Sequence, residues 1–217
     1  VIDELRISNR ARTAEEIAAA AAGKPAKPGI VFLGDLKLAG SKQALGKPGI
    51  NFLPGDDDRR MPLIIGQLSF ARGIAIRAPG YVEFSLPAAY SRFFARVGAP
   101  AYAPSKARVT VTVLGDGRRL AGPISLAPGE APKQLDLQIS GLKRLRLQAD
   151  GSGPNAFAIF ADAMLLPQGA SALPPFARRA SADEITIQRM RFSAPEFSFP
   201  LPQNAPGYAI FAGHPVD

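Results

Sequence analysis

Residues 62–98 constrain the fold most, because short β-type runs follow one another there with turn signals between them. The run at residues 73–77 is separated from the run at 81–86 by an Ala-Pro-Gly break, and a third run follows at 92–97. Proline and glycine interrupt helices and sheet ladders, so breaks of this kind between apolar runs are typical of antiparallel strands joined by tight turns. The stretch therefore predicts part of an antiparallel β-sandwich.

Two-residue periodicity continues toward the C-terminus. Residues 108–114 alternate valine with threonine and then turn at Gly-Asp-Gly, which is a strong hairpin signal. Leucine and isoleucine recur at every second position in residues 135–139 and 145–147, and an apolar run at 156–165 predicts a last strand. About eight strands in a domain of this size predict an all-β jelly roll. The expected core residues include Val109, Val111, Val113, Leu135, Leu137 and Phe94.

The residue pattern of the central stretch is specific enough to compare with a known family. It opens as Pro-Leu-x-Ile-Gly, continues through aromatic-x-x-Gly and an apolar strand ending in Ala-Pro, and closes as Tyr-x-x-Phe-x-x-x-Val-Gly. This resembles the NPCBM family of carbohydrate-binding modules, which are appended to secreted glycosidases. The resemblance implies a galactose-binding-like jelly-roll β-sandwich over residues 30–166. Residues 32–36 resemble the first strand of that family.

The composition excludes several kinds of site. The 217 residues are 47% apolar, which suffices for a core, and they include no Cys, no Trp and a single histidine, His214. Disulfides, thiol nucleophiles and Cys/His zinc sites are therefore excluded, and no nucleophile–histidine pair can be proposed in the C-terminal, proline-rich surroundings of His214. We expect a protein that is not an enzyme and needs neither a cofactor nor a metal.

The net charge of +8 raises the question of nucleic acid, because clustered Lys and Arg can neutralise phosphates. Here the basic residues are dispersed as singles and pairs, without a basic helix or an aromatic stacking motif. Nucleic acid is therefore not expected as a partner, and a solvated basic surface or one that docks on an acidic surface is favoured. No run reaches the ~18 apolar residues of a spanning helix, so no transmembrane segment is expected.

The first residues predict the end of another domain. Residues 1–23 give a strand-like alternation and then an Ala-rich helix with capping-box spacing at its start. A strand of this length cannot bury its apolar face alone. Residues 2–20 resemble the closing strand and trailing helix of a LamG-like (concanavalin-type) jelly roll, and residues 24–29 have the composition of a linker. We therefore expect a fragment of a larger exported, extracytoplasmic protein, periplasmic or secreted.

The C-terminal part predicts no further complete domain. Residues 167–183 are rich in Pro, Ala, Ser and Arg and are interpreted as a linker, and residues 184–192 are predicted to form one more strand. Residues 184–217 as a whole are interpreted as an extended arm or as the start of a further module. An arm carrying aromatic and apolar residues would favour packing on another protein subunit.

Candidate ligand contacts come from the positions that match the family resemblance. They are Asp35, Asp58, Arg59, Arg77 and Asp162. Arg77 stands where the family commonly has His, and it is either a donor to a sugar hydroxyl or a surface Arg at a strand end. Of a usual Asp-His-Ala-Asp-Trp string, only Asp162 remains in residues 157–163. The Asp-Asp-Asp run at 56–58 is interpreted as a solvated turn neutralised by Arg59 and Arg60, because its spacing lacks the alternating ligands of a calcium loop.

Two functions remain open. The resemblance implies a non-catalytic carbohydrate-binding module. Sugar sites need an aromatic platform and convergent polar groups, and the missing tryptophans together with the Ala99-Pro100 replacement of a usual Asp-Asp pair remove some of these. The alternative is a structural module that anchors a subunit in a larger assembly after the sugar site has been lost. Carbohydrate and other protein subunits are accordingly the expected partners.

Overall fold

The computed structural model describes residues 28–43, 45–55, 59–153 and 155–193. Within them, no helix has the length and apolar composition that crossing a membrane requires. The elements are β1 Val31–Phe32, a 3-10 turn Leu33–Asp35, β2 Leu38–Gln43, β3 Gly49–Ile50, β4 Leu53–Pro54, β5 Arg60–Met61, β6 Leu63–Ile65, β7 Leu68–Phe70, β8 Gly73–Arg77, β9 Gly80–Ser85, β10 Tyr90–Gly98, β11 Arg108–Gly115, β12 Arg118–Leu126, β13 Lys133–Gln138, β14 Arg144–Ser152, β15 Phe157–Pro167, β16 Ala177–Arg179 and helix α1 Ala182–Ser193.

Two antiparallel sheets form the sandwich. The six-stranded sheet has the order β13-β10-β15-β8-β3, with β1 paired beside β15, and the five-stranded sheet has the order β12-β11-β14-β9-β2. All the pairings within both sheets are antiparallel. The predicted all-β sandwich is thereby confirmed, and the predicted Gly-Asp-Gly hairpin joins β11 to β12.

Alternation of side chains directs one face of each sheet into the core. In β11, Val109, Val111 and Val113 are buried, whereas Thr110 and Thr112 between them are half-buried on the opposite face. The three valines belong to one apolar cluster that draws residues from both sheets, and β-branched side chains suit this pleated surface. The two-residue period was therefore sufficient to predict the orientation of this strand.

The other residues predicted for the core lie in two different layers of the structure. Leu135 lies in the central cluster, and Leu137 packs against it while only partly buried. Phe94 is buried as predicted, but in a different place: it lies on the outer face of the six-stranded sheet with Met164 and Leu166. Both faces of β10 and β15 are covered, so an apolar residue there cannot be assigned to a face from its identity alone.

An outer layer covers the six-stranded sheet. Strand β15 is buried along its length except at Pro167. A three-stranded sheet, β16-β7-β6, and the β4–β5 pair lie over one part of it, and Tyr102 fixes this layer by donating from its hydroxyl to the Pro62 carbonyl at 2.7 Å. Ala170, Ala172 and Leu173, in the segment after β15, pack against the cluster around Phe94.

The prediction of a strand at residues 184–192 was wrong, because helix α1 occupies Ala182–Ser193. The Ser181 hydroxyl accepts the Glu184 N–H at 3.0 Å, and Asp183 and Glu184 lie in the first turn, where carboxylates favour a helix. Ile185, whose β-branched side chain had favoured a strand, packs against the outer layer. Tertiary contact and capping therefore outweigh local propensity in this segment.

Two other segments also differ from their sequence interpretation. The first strand was predicted at residues 32–36, but β1 ends at Phe32 and the chain closes a 3-10 turn, with the Leu36 N–H donating to the Leu33 carbonyl at 3.1 Å. In the segment interpreted as a linker, β16 pairs with β7 and extends the outer layer. The elements predicted for residues 1–23 and the arm beyond residue 193 lie outside the described residues, and the division of the chain into domains stays a prediction.

Strand β12 forms one edge of the five-stranded sheet. Its register against β11 shifts on either side of Val113. Gly122, with φ of 99°, and Pro123 lie at this irregularity, and a proline has no N–H to donate. Arg118 is exposed at the start of the strand. This edge is consequently both bulged and charged.

Candidate functional site

The residues predicted to contact a ligand lie in separate parts of the sandwich. Asp35 is in the 3-10 turn, Asp162 is in the middle of β15, and Arg77 ends β8. Arg59 precedes β5, and Asp58 lies outside the described residues. Asp35 and Asp162 share one polar network, described next. Arg77 and Arg59 do not take part in the hydrogen bonds that define that network.

Asp162 forms a buried ion pair on the outer face of the six-stranded sheet. Its side chain is fully buried, and one carboxylate oxygen accepts from Arg96 at 2.9 Å and from the Phe176 N–H at 3.2 Å. Among the described residues, no group donates a hydrogen bond to the other oxygen. Burial raises the pKa of Asp162 above its ordinary value, while the Phe176 N–H and the Arg96 guanidinium oppose that rise. A ligand cannot reach this carboxylate unless residues 173–176 move.

Asp35 joins the same network through a second arginine. Arg72 pairs with Asp35 at 2.9 Å, its guanidinium lies 4.5 Å from the centre of the Phe32 ring, and its carbonyl accepts the Asp162 N–H at 3.0 Å. The Phe32 ring in turn meets the Phe176 ring edge to face at 5.6 Å. Both members of the Asp35 pair are more than two-fifths exposed, so the pair contributes little to stability.

Arg59 lies beside the aspartate run that was considered as a calcium ligand. Its carbonyl accepts the Gly55 N–H at 2.8 Å, and the residue is exposed. The neighbouring Arg60 guanidinium lies 4.8 Å from the centre of the Phe52 ring. The aspartates at 56–58 are outside the described residues, so their interpretation stays a prediction. Among the described residues, no group of three possible metal ligands comes together.

Arg77 lies at a corner where the two sheets approach each other. Its guanidinium is 4.8 Å from the centre of the Phe157 ring, and its backbone N–H donates to the side-chain oxygen of Gln43 at 3.1 Å. The Gln43 amide nitrogen donates to the Leu45 carbonyl at 2.8 Å. Both ends of the Gln43 amide are therefore held by backbone, which fixes the side chain beside the Ala78-Pro79 turn. Along β8, Arg77 is about 13 Å from the end that adjoins Asp162.

A cleft of about 340 Å³ opens next to this corner. We call it the Tyr81 cleft, and it is lined by Lys42, Gln43, Pro79, Gly80, Tyr81, Gln148 and Asp150. Strand register explains the grouping, because Tyr81 of β9 pairs with Gln148 of β14 on one side and with Lys42 of β2 on the other. The volume lies within the range of small-molecule sites.

The Tyr81 cleft combines the groups that a sugar needs. The Gln148 amide donates to the Asp150 carboxylate at 2.8 Å, so these two side chains form a fixed pair of acceptors and donors at its wall. Tyr81 supplies an aromatic ring, with the Arg146 guanidinium 4.2 Å from the ring centre. Lys42 is exposed and adds a positive charge. A sugar presents both an apolar C–H face and hydroxyls, and this lining matches both.

Sequence reasoning did not single out Tyr81, Gln43 or Gln148. A usable signal was present: the outward positions of β9 and β14 carry polar or amphipathic side chains at every second residue, while the positions between them are apolar and buried. The register that brings the two strands side by side is not readable from either strand alone. Arg96 was also missed, because only the β-bulge opposite it brings Asp162 within reach.

Comparison with known proteins gives a family and a fold. Residues 29–166 match the family model described as NPCBM/NEW2 domain. No curated protein matches the chain.

Solved structures resemble the chain at low sequence identity. CBM51 from Clostridium perfringens GH95, in complex with methyl-galactose, has a TM-score of 0.52 and 20% identity, over 64% of this chain and 100% of that one. The tandem CBM51 modules of Sp3GH98, the family 98 glycoside hydrolase from Streptococcus pneumoniae SP3-BS71, give 0.53 and 16%, over 76% and 52%. CBM51-2 with GlcNAc and the INT domains of Clostridium perfringens ZmpB gives 0.52 and 18%, over 64% and 32%.

Proposed function

Because the chain belongs to the NPCBM/NEW2 domain family, we propose that its sandwich is a non-catalytic carbohydrate-binding module that binds its ligand in the Tyr81 cleft. The observation that carries this proposal is the convergence of Tyr81, Gln148 and Asp150 in one cleft beside Arg77. The solved CBM51 structures in complex with methyl-galactose and with GlcNAc support the choice of a sugar ligand. Asp35, Arg59 and Asp162 are not among the residues that line this cleft, and Asp58, which lies outside the described residues, stays a prediction.

Arg77 has an indirect role in this proposal. Its backbone N–H holds Gln43, which lines the cleft, and its guanidinium lies over the Phe157 ring of the neighbouring strand β15 in the six-stranded sheet. A side-chain substitution at Arg77 should therefore change ligand affinity less than a substitution at Tyr81 or Gln148. This ordering distinguishes the proposed cleft from a site centred on the arginine itself.

The test is a glycan array probed with the full chain, followed by calorimetry on any glycan that binds. We expect Tyr81→Ala and Gln148→Ala to weaken binding by about tenfold or more, which corresponds to the loss of about 1.4 kcal/mol or more. Thr186→Ala, on the exposed side of α1, is the matched control and should bind as the parent does. Binding that survives both cleft substitutions would place the ligand elsewhere.

A second function is favoured by a different observation. Large apolar side chains are exposed in the C-terminal segment, at Phe176, Ile187 and Met190, as expected of a module that attaches a subunit to an assembly. If the module has this second function, the glycan array shows no binding, and the chain co-purifies with a stable partner from native extracts.

The context proposed for the module is an exported multidomain protein. The resemblance of residues 1–23 to the closing strand and helix of a LamG-like jelly roll implies a preceding domain of that kind. Intact-mass analysis of native material tests this, since a mature species limited to these 217 residues would contradict it.

A further inference from the structure

A second cleft lies next to the Tyr81 cleft on the outer face of the five-stranded sheet. It measures about 630 Å³ and is lined by Glu83, Leu114, Asp116, Gly117, Lys143, Arg144, Arg146 and Gln148. Gln148 lines both clefts, so the two are adjacent, and we call them together the trough. Side chains on this face stay exposed or half-buried, in contrast to the covered outer face of the six-stranded sheet.

The carboxylates of the trough are already occupied by the protein. Glu83 accepts from Arg146 at 2.9 Å and from Arg144 at 3.2 Å. Asp116 accepts the backbone N–H of Arg144 at 2.8 Å and that of Lys143 at 3.1 Å. Asp150 accepts from Gln148, as described above. Their negative charge is therefore held in place and partly neutralised.

The lysine and arginine side chains of the trough keep N–H donors that are available to a ligand. In the described part of the chain, neither Lys42 nor Lys143 has an ion-pair partner, and both are exposed. Arg144 is 69% exposed and uses one terminal nitrogen for Glu83. Arg146 is stacked on Tyr81 and paired with Glu83, so its remaining donor edge is held in a fixed direction. Free positive charge thus lies at both ends of the trough, with an aromatic ring and an amide between.

We propose that this trough binds an acidic glycan, a chain of sugars that carries carboxylates or sulfates. Lys42 at one end, and Lys143 and Arg144 at the other, would contact its charged groups, while Tyr81 and Gln148 contact a ring between them. Guanidinium and ammonium groups form their strongest hydrogen bonds with such anions. This inference rests on the proposed function, since it names the ligand class of the same site.

The interleaved carboxylates favour a glycan over nucleic acid. Duplex DNA carries about one charge per 1.7 Å of its axis, so Glu83, Asp116 and Asp150 would oppose phosphates along the whole trough. An acidic glycan has fewer charges, separated by hydroxyls, and carboxylates accept hydrogen bonds from hydroxyls. The alternation of cations with carboxylates suits a ligand in which anions alternate with hydroxyls.

The experiment uses polymers that differ in charge alone. The full chain is titrated with polygalacturonate and with its methyl ester, and with dextran sulfate and unmodified dextran, at two salt concentrations. A short DNA duplex serves as the polyanion control. We expect at least tenfold tighter binding to one charged member than to its neutral counterpart, weakening with added salt. The two pairs distinguish a carboxylate ligand from a sulfate ligand.

Variants then locate the binding. Lys143→Gln and Arg144→Gln should each weaken binding of the charged polymer about fivefold to tenfold, with no loss of thermal stability. Lys133→Gln carries the same charge change on β13, in the other sheet, and should leave binding unchanged. Gln148→Ala should weaken binding as well, which a purely electrostatic surface would not show.

Each outcome has a defined meaning. Selective binding of a charged polymer that depends on Lys143, Arg144 and Gln148 supports the inference. Binding of the methyl ester, of dextran or of neutral array glycans through Tyr81, with no preference for charge, overturns it and leaves the proposed function intact. Equal binding of DNA, or equal weakening by Lys133→Gln, overturns it in favour of a nonspecific basic surface. Absence of binding to every glycan overturns both this inference and the proposed function.

Discussion

The carboxylate of Asp162 is enclosed by the protein, and its contacts come from segments that are distant in the chain. Arg96 reaches it from the neighbouring strand β10, and the Phe176 N–H reaches it from the segment that covers the sheet. The residue has a φ of 48°, a left-handed conformation that Asp tolerates better than most residues. The β-bulge at this point turns the side chain toward Arg96.

Substitution of Asp162 should test how much this pair stabilises the sandwich. Asp162→Ala leaves the largely buried Arg96 without its partner and places Ala in a left-handed conformation, so we expect a loss of about 3 kcal/mol in the free energy of unfolding. Asp162→Asn keeps an acceptor and tolerates the backbone conformation, so the loss should be smaller. Urea denaturation of the three proteins measures both values, and equal stability of parent and Ala variant would contradict this account.

The pH dependence follows from the direction of the pKa shift. Burial raises the pKa of Asp162, so the folded protein holds this proton to a higher pH than the unfolded chain does. The stability of the parent relative to Asp162→Asn should therefore be greatest below about pH 4 and fall as pH rises through the folded pKa. Denaturation curves across this range check the sign, and a rising difference would mean that the ion pair outweighs burial.

At single residues, burial could be predicted from the sequence, but most contacts between strands could not. The valines of β11 could be placed in the core because polar residues alternate with them. Asp162 could be marked as unusual in an apolar run, but its partner Arg96 could not, since the pairing depends on a bulge. Likewise, Tyr81 and Gln148 could not be predicted to line one cleft, because only the register of β9 against β14 brings them together.

At the scale of elements, the longer strands matched their predicted runs, whereas several short segments around them did not. Strands β8, β9 and β11 coincide closely with their predicted runs. Strand β15 is buried on both faces, so it lacks alternation, and its apolar composition alone indicated a strand. Helix α1 was missed because β-branched residues at 185–187 favour a strand locally, while its capping contacts involve residues before it.

The orientation of β11 gives a sharp test of the sandwich. Val111 is fully buried in the central cluster, and Val111→Asp would place an unpaired charge there, at a cost of several kcal/mol that should prevent folding. Thr112→Asp is the control, because the adjacent side chain lies on the opposite face. Circular dichroism should show an unfolded Val111→Asp protein and a folded Thr112→Asp protein.

At the scale of the whole molecule, the segment that follows the sandwich packs against the outer face of the six-stranded sheet. The family match ends at residue 166, but Phe94, Met164 and Leu166 on the outer face are covered by residues beyond that point. Arg92 reinforces the contact by donating to the Ala170 carbonyl at 3.1 Å while it pairs with Asp136. Composition had suggested a linker here, since Ala and Pro give no periodic signal.

Truncation should expose this dependence. A chain limited to residues 28–166 loses the cover of three large apolar side chains, and we expect its free energy of unfolding to fall by about 4 kcal/mol relative to residues 28–193. The shorter chain should also bind an apolar fluorescent dye. Identical denaturation midpoints for the two chains would show that residues 167–193 contribute nothing to stability.

The irregular edge strand β12 affects how readily two copies of the sandwich can pair. An exposed, regular strand edge invites pairing with another chain, and such pairing is how sandwiches polymerise into fibres. Pro123 withholds one donor, the shifted register near Gly122 interrupts the ladder, and Arg118 repels a second copy. Even at high local concentration, copies of the sandwich should therefore not join edge to edge through β12.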